Sequence, residues 1–174
     1  MREEKTGWRF WLATVLFQIV LGALLHFTYA WSGQNWFVGL FSAVNESVWE
    51  HMKLIFTPSL IIMLVGSWCF WKKGLRKNLI FAQGIALLVG ILFLIAFFYT
   101  YTGAFGIREI LALDILSFVL STFLIQGITV KLVNEERLDQ PWIRCVGVLL
   151  WIVLAAAIFR WTFQAPNVPL FISE

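Results

Sequence analysis

The chain has 174 residues, 60% of them hydrophobic and 13% charged, with a net charge of +3 and a mean hydropathy of +0.83. A water-soluble domain carries about 25% charged residues, so that class is excluded. The small positive balance does not point to nucleic acid, because the basic residues fall in short loops between apolar runs, and no nucleic-acid partner is expected.

Five runs approach or exceed the roughly 20 apolar residues that span a hydrocarbon core. They predict an all-α, polytopic bundle of five transmembrane helices in one domain over residues 1–174, near 8–30, 45–71, 79–101, 107–130 and 142–163. The first run is too long for a signal-peptide core, and no A-x-A-like site follows it, so it reads as a retained helix. Gln18, Gly22, His26 and Tyr29 share one of its faces, and Gly22 there predicts close approach by a neighbouring helix. Residues 31–44, WSGQNWFVGLFSAV, open with turn chemistry and continue too apolar for a free loop. They are expected to lie along the membrane surface or to tuck back into the bundle.

The second helix is expected to start at NESVWEHMK, with Asn45 as its N-cap and Glu46 on the positive end of the helix dipole. Pro58 removes one backbone hydrogen bond within it, and Thr57 is placed to satisfy a freed carbonyl. KKGLRKN is a basic loop. The third helix is almost wholly apolar and serves packing, and TGAFG reads as a tight turn. In the fourth, Asp114, Ser117 and Ser121 share a face. Pro141 suits the first turn of the fifth. Most of the ten Trp residues stand near the ends of the runs, as an interfacial aromatic belt requires. Cys69 and Cys145 stand singly, without a CxxC pair.

Charge sets the expected orientation. With the N-terminus cytoplasmic and the C-terminus outside, the inner side holds ten basic residues: Arg2, Lys5, Arg9, Lys72, Lys73, Arg76, Lys77, Lys131, Arg137 and Arg144. The outer side holds three: Lys53, Arg108 and Arg160. That asymmetry satisfies the positive-inside rule and predicts a multi-pass cytoplasmic (inner) membrane protein in contact with the lipid bilayer. Helical rise then brings His26, Glu50, His51 and Arg160 to one layer about 26–30 Å from the inner ends of their helices, with Asp114 about 10 Å beneath it. Ionisable groups inside a membrane face the bundle interior and pair, so the layer is expected to form one polar site near the outer leaflet.

Glu46, Glu50 and Lys53 are spaced by four and three and should share a helical face. Two carboxylates close together raise the pKa of one, which suits a general acid or a proton-coupled carrier. His51 reads as a metal ligand or acid–base group, or as a helix-end histidine bonded to a neighbour. His26 reads as a partner for a carboxylate or as a ligand. Asp114 is the costliest side chain to place in lipid, and Arg160 or Lys53 is its most economical partner. The candidate catalytic residues are therefore Glu50, His51 and Asp114, with His51 as candidate metal ligand. The candidate ligand-binding residues are His26, Tyr29, Asn45, Glu46, Lys53, Arg108 and Arg160. No HExxH, GxSxG or phosphate-binding glycine loop accompanies them. Three classes stay open: a membrane-embedded metal-dependent hydrolase acting on a lipid-like substrate, a small transporter or transporter subunit, and a structural bundle. A small-molecule or lipid ligand, a homo-oligomer and a membrane partner protein are all compatible with them.

The block LHFTYAWSG…NESVWEHMK and the tail APNVPLF resemble a family of small bacterial multi-pass proteins known only as a domain of unknown function. That resemblance implies the membrane fold and no activity. Val48-Trp49-Glu50-His51 is also similar to the N-I-W-T-H segment of the adiponectin/progestin receptor and ceramidase superfamily. This second resemblance implies His51 as a zinc ligand and Asp114 as a water-orienting acid. The chain departs from that pattern, with five expected spans instead of seven and no H-x-x-x-H. Having only two histidines, a zinc site here needs carboxylates such as Glu46 or Glu50.

Overall fold

The structure is a computed structural model and describes residues 7–73, 78–106 and 110–172. Arg108 and the basic residues Arg2, Lys5, Arg76 and Lys77 lie outside the described residues. Helices and turns make up the described chain: α1 (Trp8–Trp31), α2 (Trp36–Gly39), α3 (Val48–His51), α4 (Lys53–Lys72), α5 (Leu79–Phe105), α6 (Leu111–Val133) and α7 (Pro141–Phe163). A tight turn at Met52 joins α3 to α4, so the two act as one span, and five helices in all are long and apolar enough to cross a membrane.

Local chemistry sets the helix ends. Asn78 caps α5 by accepting from the Phe81 N–H (3.1 Å), and its amide ties that end to the Leu138 carbonyl (2.8 Å). Pro141 occupies the first turn of α7. At the other end of α5, residues 102–105 continue the helix, and Gly106 stops it at φ +63°, a left-handed conformation that glycine adopts without strain. The turn expected over TGAFG thus contracts to its last residue. The second span begins at Val48, not Asn45. Ser47 is the cap, its hydroxyl accepting from the Glu50 N–H (3.3 Å), while Asn45 accepts from the Ser47 N–H (2.9 Å). The signal was present as Ser47-x-x-Glu50, the spacing of a capping box. Here the Glu50 carboxylate reaches the Val44 N–H (2.9 Å) instead of closing the box.

Helix α5 packs on α4, α6 and α7, and α1 packs on α4 and α6. Buried Met52, Ile55, Phe56, Leu87, Ile125, Trp151 and Ile158 form the main apolar cluster. Trp8, Trp31, Trp36, Trp68, Trp71 and Trp142 are exposed at helix ends. Glycines permit two of the closest approaches. A Cβ on Gly147 would sit 2.8 Å from the Phe81 backbone, and one on Gly22 would sit 2.6 Å from the Leu54 carbonyl and from the Phe118 ring. Leu54 is the residue four before Pro58, so its carbonyl is the one that the proline leaves without a helical donor.

The segment between α1 and α3 tucks back into the bundle over its second half. Trp36 and Phe37 are exposed, whereas Gly39, Ser42 and Ala43 are buried against the bundle. Ser42 accepts from Thr28 Oγ1 (2.9 Å) and the Tyr29 N–H (3.0 Å). Thr57 donates to the Phe41 carbonyl of this segment (2.8 Å), so its hydroxyl serves the loop and not the proline kink. The tail returns to the same end: Phe171 and Trp161 pack on Trp49, with ring centroids 4.7 and 5.1 Å away.

Gly22→Ala should push α1 off α4 and cost about 1–3 kcal/mol, the usual range for overpacking. Thermal unfolding in detergent measures it, and an unchanged midpoint would remove the close-approach argument.

Candidate functional site

Two separate groups of ionisable side chains stand at the end of the bundle where α1 finishes and α3 begins. The first is buried. Lys53 Nζ lies 2.6 Å from Glu50 Oε2, with the lysine side chain fully buried and the glutamate 2% exposed. The ammonium also donates to the carbonyls of Gly39 (2.7 Å) and Ser42 (3.3 Å). Glu50 and Lys53 therefore neutralise each other and satisfy three backbone groups of the re-entrant segment, at Gly39, Ser42 and Val44. The expected Glu46–Glu50–Lys53 face does not form, because Glu46 precedes the helix and its side chain is 62% exposed.

The second group is a triangle. His26 Nε2 and Glu46 Oε2 are 3.4 Å apart, His51 Nε2 and Glu46 Oε2 3.5 Å, and the two Nε2 atoms 3.4 Å. These separations exceed the roughly 2.7–3.2 Å of good N–H···O hydrogen bonds. They match the edge of a tetrahedron around zinc, since ligands about 2.05 Å from the metal sit about 3.3 Å from one another. The three residues could hold a metal ion. The backbone orients His51 for ligation, with its Nδ1 3.0 Å from the Ser47 carbonyl. An Nδ1–H donated there leaves the Nε2 lone pair directed at His26 and Glu46, as a backbone carbonyl behind a ligating histidine does in metal sites. The histidine side chains are 31% and 28% exposed, so one side of the triangle is open.

Asp114 joins neither Arg160 nor Lys53. It accepts a 2.6 Å hydrogen bond from the Tyr101 hydroxyl, across the α5–α6 contact. Lys53 is committed to Glu50, and Arg160 is exposed on the last turn of α7. The charged layer expected from helical rise is thus at one end of the bundle but divided among a triangle, a buried pair and the Tyr101–Asp114 contact. Tyr29 packs on Gly39, and Asn45 orders the backbone before α3. Sequence reasoning misses Ser47 and Tyr101. The Ser-x-x-Glu spacing marks the first, whereas nothing local marks the second, because its partner lies on another helix.

The chain belongs to a family of unknown function, DUF6512, whose family model matches residues 1–174. No curated protein and no solved structure matches it. The likeness of residues 48–51 to the adiponectin/progestin receptor and ceramidase superfamily therefore has no match behind it.

Lys53→Met should destabilise by about 3–5 kcal/mol, because it leaves the Glu50 carboxylate buried without its counter-charge. Adding Glu50→Gln should restore part of that loss in detergent denaturation. A double variant as unstable as Lys53→Met would show that the ion pair is not what holds this end.

Proposed function

We propose that this is a multi-pass membrane protein that binds a divalent transition metal, zinc by ligand type and geometry, through His26, Glu46 and His51. The observation that carries it is the triangle with 3.4, 3.4 and 3.5 Å edges, longer than good hydrogen bonds and matching a tetrahedral face. Three protein ligands with one open position are the pattern of zinc sites that take a water or a substrate. The ten-to-three distribution of basic residues supports a cytoplasmic N-terminus, a cytoplasmic-type bacterial membrane and a site at the outer leaflet. The open position there suits a small-molecule or lipid ligand.

A second reading, metal-dependent hydrolysis, is favoured by one observation: the two histidines are part-exposed, at 31% and 28%, so a metal held there would keep an open side for water. A metal in the triangle would make bound water nucleophilic near neutral pH. Asp114, which accepts from Tyr101, is the carboxylate that would serve as base in this reading. Glu50 takes no part in this reading, since its carboxylate is engaged by Lys53 and Val44.

Calorimetric titration of purified, chelator-stripped protein with zinc should show one site per chain. His26→Ala, His51→Ala and Glu46→Gln should each weaken it by at least about 100-fold, each removing one of three ligands. Affinity should fall on acidification, because protons compete for the imidazole lone pairs. Absence of stoichiometric zinc, or equal affinity in the histidine variants, would refute the assignment.

A further inference from the structure

Below the triangle, the centre of the bundle is polar where lipid-embedded helices are ordinarily apolar. Gln18 on α1, Ser59 on α4, Gln83 on α5 and Gln126 on α6 are all fully buried. Gln126 Nε2 donates to Gln18 Oε1. Gln18 Nε2 donates to Ser59 Oγ (3.3 Å) and the Ile55 carbonyl (3.4 Å). Gln83 lies on the stripe of α5 that includes Leu79 and Gly90. Those two residues pack against Gly66 of α4 and Ile125 of α6, so Gln83 is on the side of α5 that is turned into the bundle.

Hydrogen bonding within the protein leaves this node incomplete. Gln126 Oε1, both amide atoms of Gln83, Ser121 Oγ and Ser67 Oγ are buried and have no protein partner. Buried polar groups are nearly always satisfied, and those without a protein partner hold ordered water. The unmet atoms include donors and acceptors together. A metal cation would require acceptors only, and no carboxylate is among these residues. Water both gives and receives, which matches what these atoms lack.

The node continues towards the triangle. On α6, Asp114, Ser117 and Ser121 lie on one face, and Thr122, Gln126 and Thr129 on a second face roughly 110° around the helix; together they span about 22 Å at 1.5 Å per residue. All of them except Asp114 are buried. At the opposite end of the bundle, Ser67 stands five residues before the end of α4 and Gln83 four after the start of α5.

We propose that water fills the Gln18–Ser59–Gln83–Gln126 node, and that this water with the α6 hydroxyls carries protons between Asp114 and the opposite membrane face. The proposal does not depend on metal in the triangle. The Ser117, Thr122 and Thr129 hydroxyls bond back to carbonyls of their own helix, so water is what would bridge one turn to the next.

Two measurements on the full chain test it. In radiolytic hydroxyl-radical footprinting in detergent, Ile125, next to Gln126 on α6, is compared with Ile158 on α7; both belong to the apolar cluster and both are essentially without solvent exposure. Water in the node should make labelling of Ile125 several-fold greater than that of Ile158; equal labelling overturns the hydration. In proteoliposomes under a valinomycin potassium potential, an internal pH dye should report proton entry well above that of empty vesicles. Ser121→Ala and Gln126→Leu should each reduce it several-fold. Ser121→Ala removes a hydroxyl that has no hydrogen-bond partner in the protein, so its effect cannot come from a lost protein hydrogen bond. Wild-type flux equal to that of empty vesicles, or undiminished flux in both variants, overturns the path.

Discussion

The buried contact between Glu50 and Lys53 is the constraint on which this end of the molecule depends. A segment that leaves α1 and folds back into the bundle must find donors and acceptors for its backbone where water is scarce. One ammonium and one carboxylate supply them. Lys53 takes the Gly39 and Ser42 carbonyls, and Glu50 takes the Val44 amide. The two charges cancel at 2.6 Å, so the segment is anchored with no net charge left in the low-dielectric interior. Glu46, two residues beyond the anchored amide, is thereby delivered to the two histidines. The triangle is thus a product of the loop's tether as much as of the helices that carry His26 and His51.

The bundle separates three uses of polarity. Charged groups that cancel one another hold the backbone. Ionisable groups with open lone pairs stand half-exposed at the bundle end, where a ligand has access. Neutral amides and hydroxyls occupy the middle, where an unpaired charge would cost far more. The apolar cluster around Phe56, Leu87 and Ile158 lies alongside these groups and supplies the packing that keeps them apart.

Much of this is legible in the residues. Apolar run length identifies the five spans, and the face shared by Gln18, Gly22, His26 and Tyr29 is the one that meets the bundle. Helical rise brings His26 and His51 to one depth. The two carboxylates near them are harder to assign. Glu46 and Glu50 look equivalent at a spacing of four as long as the helix is taken to begin at Asn45; starting it at Val48 sends one to the histidines and the other to Lys53. Asp114 finds a tyrosine instead of a cation because α5 runs on through most of the glycine-containing turn and holds Tyr101 beside the start of α6. The glutamines of the centre are hidden for a different reason. Following charge through lipid does not register neutral amides, and their convergence depends on how four helices rotate against one another.

Ser47 holds two registers at once: its hydroxyl starts α3, and its carbonyl, one turn before His51, sets that ring's orientation. The interval between them acts as a gauge. Inserting or deleting a single residue there would swing the imidazole about 100° around the helix axis and aim its free nitrogen away from the other two vertices, even if every apolar contact were kept. Length variation among related chains should accordingly be tolerated in the exposed turn before Trp36 and absent from the four residues that follow Ser47.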